Sequence, residues 1–410
     1  MGYLLTYTDE NYNGHLLFLN DKFELQKDVK LASSGIVKVC TANNTIALLR
    51  CKYRHQKELG ELAYWEHYLY FERYSLDGKR TARTKLIGAD YFFKGRNNRT
   101  YRSMFESTLI ENNGIYYASY LFQFNNVKKN YNNKNYQLVQ ITPDNKVAVI
   151  SSFHGYVVQN KLLVHQDTLY RIYTQTRRPR AIVLEKYSIK ELSNAKISRV
   201  EVGNSGKDMD NVLSITAEPK VLYTITDGVD KKDLMCRDHL VPVRVENVFL
   251  HENKLNLVLC TMQDRKTYDL ILASYSLSGV KLKETPLANN RNLHETSCYA
   301  RKTGDVLQLV YSTLDEREKQ SDTTIVTQYD LNTEAKTEHA VPAKFVTKSV
   351  FKFYKNVLDV SESKLLQRDF RVNTRFYNHV NYNHANSSEG MVILNWDKDG
   401  IDIVHVLIPD

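Results

Sequence analysis

Hydrophobic and polar positions alternate along residues 254–287, and this pattern predicts three β-strands. The strands are Leu255–Cys260, Tyr268–Tyr275 and Val280–Leu287. Alternation of period two indicates a strand because successive side chains point to opposite faces of a sheet. The middle strand has apolar residues on both faces, which is typical of a strand covered on each side by a neighbouring sheet. Gly279 can adopt positive φ at no steric cost, so a tight hairpin is predicted there.

The same pattern returns along the chain as an apolar strand that ends in Tyr-Ser/Asp-Leu/Ile and is followed by a polar turn. Clear copies lie at residues 68–78, 181–190 and 323–333, and weaker copies lie at 15–23, 137–145 and 391–400. The turns begin near residues 19, 74, 141, 187, 275, 329 and 395. Units of roughly 40 to 50 residues with four strands each are typical of propeller blades, and loop insertions would lengthen the intervals.

These repeats predict an all-β fold, a β-propeller of four-stranded antiparallel blades with seven blades, or eight as the alternative count. An ordinary meander or sandwich is the competing arrangement. No composition shift or Pro/Gly-rich linker divides the chain, so residues 1–410 are predicted to form a single domain. The strands at Tyr3–Tyr7 and Ile401–Leu407 are candidates for closing the ring.

The repeats resemble β-propeller repeats of the kind grouped with WD40 proteins. The resemblance is architectural and covers most of the chain. The sequence does not repeat the Gly-His and Trp-Asp dipeptides of that family, because each occurs once, at Gly14-His15 and at Trp396-Asp397 in a weak copy. The resemblance therefore implies the architecture and assigns no functional residue.

Three polar segments are predicted to interrupt the strands. Residues 52–62 form a polar loop that could carry a short helix, residues 125–136 a flexible loop, and residues 203–211 a further loop.

Composition places the chain among soluble globular proteins, with 42% hydrophobic and 25% charged residues. No apolar run approaches the roughly 20 residues that span a bilayer, and the N-terminal residues lack the features of a secretory signal. The five cysteines are odd in number and widely spaced, without zinc-binding spacing. Free thiols in a reducing compartment fit this usage, so a cytoplasmic location is predicted.

Positive charge is concentrated in the first half of the chain. Residues 1–200 contain 30 Lys and Arg against 17 Asp and Glu, whereas residues 201–410 contain 26 against 30. In a propeller the basic loops of residues 50–180, which include Arg50 and Lys85, would form an arc with aromatic residues interleaved. Such an arc attracts polyanions, and its aromatic rings can stack on bases. The candidate binding residues are Lys79, Arg80, Arg83, Arg96, Arg99, Arg102, Arg177, Arg178 and Arg180. The alternative is that these loops are solvated surface.

Candidate chemistry is sparse. Residues 397–402 begin like a calcium loop but continue into a strand, so a hairpin turn is predicted instead. The segment Cys236–His239 places a thiol close to an imidazole, yet neighbouring residues of a strand point to opposite faces. No catalytic, cofactor-binding or metal-binding residue is therefore named, and no cofactor is predicted.

The sequence favours a non-enzymatic interaction platform, in which a rigid propeller presents loops that bind another protein. The first alternative is a propeller that binds nucleic acid or another polyanion through the basic loops of residues 50–180. The second alternative is a propeller hydrolase whose site lies in the central channel and uses carboxylates from several blades.

Overall fold

The structure is a computed structural model that describes a defined part of the chain. The described ranges are 3–8, 14–20, 25–31, 35–59, 62–93, 107–126, 131–154, 157–175, 180–201, 208–215, 217–225, 243–262, 268–291, 293–314, 320–341, 390–397 and 400–407.

The described residues are almost entirely strand. The first strands are β1 (Tyr3–Thr8), β2 (Gly14–Leu19), β3 (Leu25–Leu31), β4 (Gly35–Ala42), β5 (Thr45–Leu59), β6 (Leu62–Ser75), β7 (Arg80–Phe93), β8 (Thr108–Asn112), β9 (Ile115–Asn126), β10 (Tyr131–Ile141), β11 (Val147–His154), β12 (Val157–His165), β13 (Thr168–Gln175) and β14 (Ala181–Ser188). After the short helix α1 (Ile189–Asn194) come β15 (Ile197–Glu201), β16 (Asp208–Leu213), β17 (Lys220–Thr224), β18 (Val243–His251), β19 (Lys254–Met262), β20 (Tyr268–Ser276), β21 (Lys281–Arg291), β22 (Leu293–Thr303), β23 (Val306–Leu314), β24 (Gln320–Asp330), β25 (Lys336–Val341), β26 (Gly390–Asp397) and β27 (Gly400–Leu407).

Most of these strands pair antiparallel with their sequence neighbours. Sheet A has the order β1-β2-β3, sheet B β4-β5-β6-β7, sheet C β15-β16-β11-β10-β9-β8, sheet D β12-β13-β14-β17, sheet E β18-β19-β20-β21, sheet F β22-β23-β24-β25 and sheet G β26-β27. Only sheet C includes a parallel pairing among the described strands, between β11 and β16. The predicted fold class, all-β with four-stranded antiparallel sheets of the propeller type, is confirmed.

The chain divides into two compact units. Unit 1 comprises Met1–Gly155, Asn194–Ile215 and Val346–Asp410, and unit 2 comprises Tyr156–Ser193 and Thr216–Phe345. At the ends of the chain, β1 pairs with β2 and β27 pairs with β26. The blade number, the single domain and the closure of a ring by the terminal strands stay predictions. No helix in the described ranges has the length and apolar content to cross a bilayer.

In unit 2, the sheets pack face to face in chain order. One face of sheet E, which includes Leu257 and Tyr275, packs against Ile172 and Leu184 of sheet D. The opposite face of sheet E packs against sheet F, where Tyr311 is fully buried. The first strands of these sheets also contact one another, β12 with β18 and β18 with β22. Both faces of sheet E are therefore covered, as the apolar pattern of residues 268–275 predicts.

Unit 1 repeats this arrangement. Leu48 and Tyr74 on one face of sheet B pack against Leu16 and Leu31 of sheet A. The other face of sheet B packs against sheet C in a cluster that includes Phe71. The same stacking rule therefore organises each unit.

The tyrosine of the sequence repeat is a core residue. The four tyrosines at the end of the third strand are buried, with exposed fractions of 3%, 3%, 0% and 5% for Tyr74, Tyr187, Tyr275 and Tyr329. Tyr74, Tyr275 and Tyr329 each belong to the cluster that joins their sheet to the preceding one. The repeat thus marks the position where one sheet is packed onto another.

The predictions of loops in three polar segments are wrong where the structure describes these segments, and residues 60–61, 127–130 and 203–207 lie outside the described residues. Strands β5 and β6 run through almost all of residues 52–62 because their backbones pair from Lys52↔Tyr68 onward. Likewise, β9 and β10 pair as far as Tyr131↔Asn126, and β16 pairs with β15. Backbone pairing between strands does not require apolar side chains, so composition alone misses these strands. Sheet E also begins earlier than expected, with strand β18.

The hairpin at Gly279 provides a test of sheet stacking. Gly279 has φ of +81°, and a Cβ there would lie 2.9 Å from Lys220 Cδ and 3.1 Å from Leu222 Cδ2 of sheet D. We expect Gly279→Ala to lower the free energy of unfolding by about 2–4 kcal/mol, since left-handed strain and overpacking add. Chemical denaturation measures this change.

The control is Gly304→Ala, because Gly304 has φ of +55° and a Cβ added there would meet no heavy atom within 4 Å. It should cost only the backbone strain, about 1–2 kcal/mol. Equal losses for the two variants would contradict the close contact between sheets D and E.

Candidate nucleic-acid interface

The outer strands of sheets A and B carry a cluster of basic residues, which we call the basic rim. It comprises residues 25–31, which form β3, and residues 77–86, which form a turn and the start of β7. Its basic residues are Lys27, Lys30, Lys79, Arg80, Arg83 and Lys85, and its acidic residues are Asp28 and Asp77. All eight are exposed in the structure.

The two parts of the basic rim form one surface. Lys27 Nζ donates a hydrogen bond to the carbonyl oxygen of Asp77 at 2.5 Å. Gly78 approaches β3 so closely that a Cβ on it would lie 2.6 Å from Val29 Cγ2. Because Gly78 also has φ of +78°, this turn favours glycine for two independent reasons.

Both carboxylates of the basic rim have local donors. Asp28 lies 2.9 Å from His15 Nδ1. The Asp77 carboxylate accepts hydrogen bonds from the Ser75 hydroxyl and the Lys79 amide, and these bonds lower the pKa of Asp77. The carboxylates therefore serve local turns and pairs, and the surface keeps an excess of positive charge.

A buried carboxylate lies beneath the basic rim. The Glu72 side chain is 1% exposed, and its Oε2 accepts hydrogen bonds from Arg50 Nη1 and the Tyr74 hydroxyl, both at 2.5 Å. Its Oε1 lies 3.2 Å from Arg83 Nε and 3.7 Å from Arg80 Nη1. Two surface arginines thus lie within ion-pair distance of a charge in the core of sheet B.

An aromatic ring completes the group. The Arg83 guanidinium carbon lies 3.9 Å from the ring centroid of Tyr70, in cation–π geometry. The ring of Tyr68 is stacked beside that of Tyr70, with centroids 6.2 Å apart and an angle of 17°. The side chains of Arg80 and Arg83 remain 50% and 39% exposed. This arrangement presents two oriented cations and two half-buried rings to an approaching ligand.

Register explains why these side chains meet. Glu72 lies directly opposite Arg83 in the pairing of β6 and β7, and Tyr70 lies opposite Lys85. Residues two apart on a strand share a face, so Tyr70, Glu72 and Tyr74 project to the same side. At the Tyr74 end that side is covered by sheet A.

The structure brings together only part of the predicted site. Lys79, Arg80 and Arg83 lie on the basic rim of unit 1, and Arg80 and Arg83 belong to a strand rather than to a loop. Arg180 belongs to unit 2, is half-buried, and its carbonyl accepts a hydrogen bond from the Ile225 amide at 3.0 Å. Arg96, Arg99, Arg102, Arg177 and Arg178 lie outside the described residues.

The prediction that Arg50 belongs to an exposed basic loop is wrong. It is 3% exposed and pairs with Glu72 inside sheet B, so it is not available to a ligand. Sequence reasoning also missed Glu72. A signal existed, because Glu72-Arg-Tyr-Ser and Glu185-Lys-Tyr-Ser share one pattern, with a carboxylate on the face of the buried tyrosine.

A second polar group lies on the first strands of unit 2. Strands β12 and β18 each have an irregular register, between Val158 and Lys161 and between Val245 and Asn247. Lys161 Nζ donates to the carbonyl oxygen of Glu246 at 3.3 Å. Asn247 Nδ2 donates in the same way to the carbonyl of Ala300 on β22, at 2.9 Å. These bonds link successive first strands, and the bulge in β18 leaves the half-buried Glu246 between them.

Thiol and metal chemistry find little support in the described ranges. Burial raises the pKa of the Cys40 thiol to about 11, and the nearby charge of Glu111 adds to the shift, so this thiol stays protonated. Within the described part of the chain, no group of three or more His, Cys, Asp or Glu side chains is placed to hold a metal ion.

No protein-family model matches the sequence, and no curated protein matches it. Solved structures share part of its strand arrangement. A variant of the apocarotenoid oxygenase of Synechocystis is 9% identical, with a TM-score of 0.43, and the match covers 83% of this chain and 70% of that chain. A β-1,2-mannobiose phosphorylase from Listeria innocua is 9% identical, with a TM-score of 0.38 and coverage of 74% and 92%. A xylan β-1,4-xylosidase from Bacillus halodurans is 11% identical, with a TM-score of 0.36 and coverage of 74% and 54%.

The prediction of a non-enzymatic interaction platform is contradicted by these comparisons. The similar structures are an oxygenase, a phosphorylase and a xylosidase, which are enzymes. We therefore withdraw the platform prediction, together with its WD40-type scaffold role. Identities of 9–11% and TM-scores below 0.5 transfer no substrate and no catalytic residue to this chain.

The buried tyrosine of this site provides a pH test. Burial and the hydrogen bond to Glu72 raise the pKa of Tyr74 to about 12, from an unperturbed value of about 10. Below about pH 10 both the folded and unfolded chains keep this proton. Between about pH 10 and 12 only the folded chain keeps it, so the stability contributed by Tyr74 is lost as the pH rises.

The variant Tyr74→Phe should therefore be less stable than the wild type at neutral pH, and the difference should shrink above about pH 10. Urea denaturation from pH 7 to 11 measures both proteins, and the other tyrosines contribute equally to each. A difference that does not change with pH would contradict the assignment of the raised pKa to Tyr74.

Proposed function

We propose that this protein binds a nucleic acid, or another phosphate-rich polyanion, on the basic rim. The observation that carries the proposal is the pair of exposed guanidinium groups held on buried Glu72, with Arg83 lying over Tyr70. Arginine and lysine side chains supply the phosphate contacts that dominate nucleic-acid affinity. Tyrosine rings and arginine planes beside them offer stacking surfaces for unpaired bases.

The charge balance of the basic rim supports the same function. Six basic residues lie with three carboxylates, namely the exposed Asp28 and Asp77, which have local partners, and the buried Glu72, which pairs with Arg80 and Arg83. Other outer strands differ, because their lysines are paired with glutamates. Lys281 pairs with Glu284, and Lys336 lies 2.9 Å from Glu338. The basic residues of the basic rim therefore outnumber its carboxylates, Glu72 included, whereas each of these lysines of sheets E and F has a glutamate of its own.

The test is binding of a labelled single-stranded RNA of about 12 nucleotides at several salt concentrations. The triple variant Arg80→Ala, Arg83→Ala, Lys85→Ala should bind more weakly. It should also reduce the slope of log K against log salt by about 2, since each lost phosphate contact on a single strand removes about 0.7.

The matched control is Lys281→Ala, Lys283→Ala, Lys336→Ala, which removes three lysines from the outer strands of sheets E and F, each of them paired with a glutamate. It should bind RNA like the wild type. Absence of wild-type binding near physiological salt, or equal affinity of the wild type and the first triple variant, would refute the proposal.

A second candidate function is hydrolysis at the first strands of unit 2, and Glu246 is the observation that favours it. Bulges occur next to active sites, where they redirect a side chain. Here the bulge includes Glu246, whose side chain is half-buried and whose backbone carbonyl accepts a hydrogen bond from Lys161 Nζ. A carboxyl group in such an environment is suited to general acid or base catalysis.

This candidate is tested with 4-nitrophenyl xylosides and mannosides, after the sugars in the names of two similar structures. If the candidate is correct, the wild type releases nitrophenol and Glu246→Gln lowers the rate at least about 100-fold, the usual scale for a lost acid–base group. Asp305→Asn, an exposed carboxylate in a turn, is the control. No turnover by the wild type, or equal turnover by Glu246→Gln, would exclude Glu246 as the acid or base for these substrates.

A further inference from the structure

Sheets B and D each contain a buried glutamate at the equivalent position of the third strand. Glu72 and Glu185 each lie two residues before the tyrosine of the repeat, and each accepts a hydrogen bond from that tyrosine, at 2.5 Å from Tyr74 and 2.8 Å from Tyr187. Each also pairs with a buried arginine of the second strand. Arg50 lies 2.5 Å from Glu72, and Arg171 lies 3.3 Å from Glu185. The inner half of the two clusters is therefore alike.

The two clusters differ on the side of the fourth strand, because β17 of sheet D and β7 of sheet B pair over different lengths. In sheet D, β17 pairs with β14 only from Ala181 to Leu184, which ends before Glu185. The second oxygen of Glu185 accepts a hydrogen bond from the Tyr173 hydroxyl at 3.1 Å, so that cluster is closed within the sheet. In sheet B the long strand β7 continues across Glu72 and brings Arg80 and Arg83 to its Oε1.

The contacts of Arg83 use only part of its guanidinium group. Nε faces Glu72 and one plane covers Tyr70, while the side chain as a whole remains 39% exposed. A guanidinium group has five donors in a fixed planar fork, so one edge can hold a carboxylate while another binds phosphate. Fixing such a side chain before binding removes part of the entropy that its immobilisation would cost.

We infer that Glu72 is a positioning residue, which holds Arg80 and Arg83 at the surface in the orientation that binds the phosphates of a nucleic-acid strand. This inference rests on the proposed function of the basic rim. The negative charge of Glu72 repels a negative ligand directly, but by orienting the two arginines it favours binding of that ligand. The two effects on affinity therefore have opposite signs.

The opposite signs of the two effects provide the experiment. Glu72→Gln raises the net charge of the protein by one, so electrostatics alone would tighten RNA binding. Loss of positioning predicts the reverse, because the ordering of each long side chain costs about 2- to 12-fold in affinity. We expect Glu72→Gln to bind single-stranded RNA about tenfold more weakly than the wild type at every salt concentration, with a similar salt slope.

The matched control is Glu185→Gln, which removes the equivalent buried charge from a cluster that is closed within its sheet. It should lose thermal stability as Glu72→Gln does, yet keep wild-type affinity for RNA. Two-dimensional NMR of the arginine Nε–H groups adds a direct readout, since the Arg83 signal should be protected from solvent exchange in the wild type and in Glu185→Gln only.

If Glu72→Gln does not fold, Glu72→Asp keeps the charge and withdraws it from the arginines by one methylene group, and it should also weaken binding. Affinity of a folded Glu72 variant equal to or higher than that of the wild type would overturn the inference while the proposed function stands. Failure of the wild type itself to bind RNA would overturn both.

Discussion

Burial of both faces of sheets B and E is the constraint on which the described structure depends. A four-stranded sheet with apolar side chains on both sides is not stable alone, so sheet B needs sheets A and C, and sheet E needs sheets D and F. When the sheets are stacked in this way, the outer strands and the turns remain exposed to solvent. Charged surface in this protein is therefore found on strands such as β3 and β7, where it does not compete with the core.

The buried charges are compatible with this core because each has partners. Glu72 and Glu185 would be costly as isolated carboxylates, and an arginine and a tyrosine hydroxyl offset the desolvation in each case. Replacing such a pair with apolar residues is often neutral or stabilising, so stability alone does not account for a buried ion pair. In sheet B the arrangement has a further consequence, because the same carboxylate orients two arginines at the surface.

The pattern of side chains along the sequence predicted some features of this structure and missed others. Alternation and turn residues report directly on packing, so they predicted the all-β class, the hairpin at Gly279 and the repeated tyrosine. The strand pairing of residues 52–62 was missed, since backbone hydrogen bonds leave no mark on a polar sequence. Likewise, the clustering of charge drew attention to Arg80 and Arg83, which are exposed, but treated the buried Arg50 as surface. The position of Glu72 opposite Arg83 depends on the register between β6 and β7. This register is a property of the strand pair, and the pattern within either strand alone does not reveal it.

The most direct test is to locate bound RNA on the protein by photochemical cross-linking and peptide mass spectrometry. We predict that a single-stranded RNA cross-links to peptides from residues 25–31 and 68–86, and that Tyr70 is among the modified residues. Cross-links confined to other segments, with none in these two, would contradict the placement of the binding surface on the basic rim.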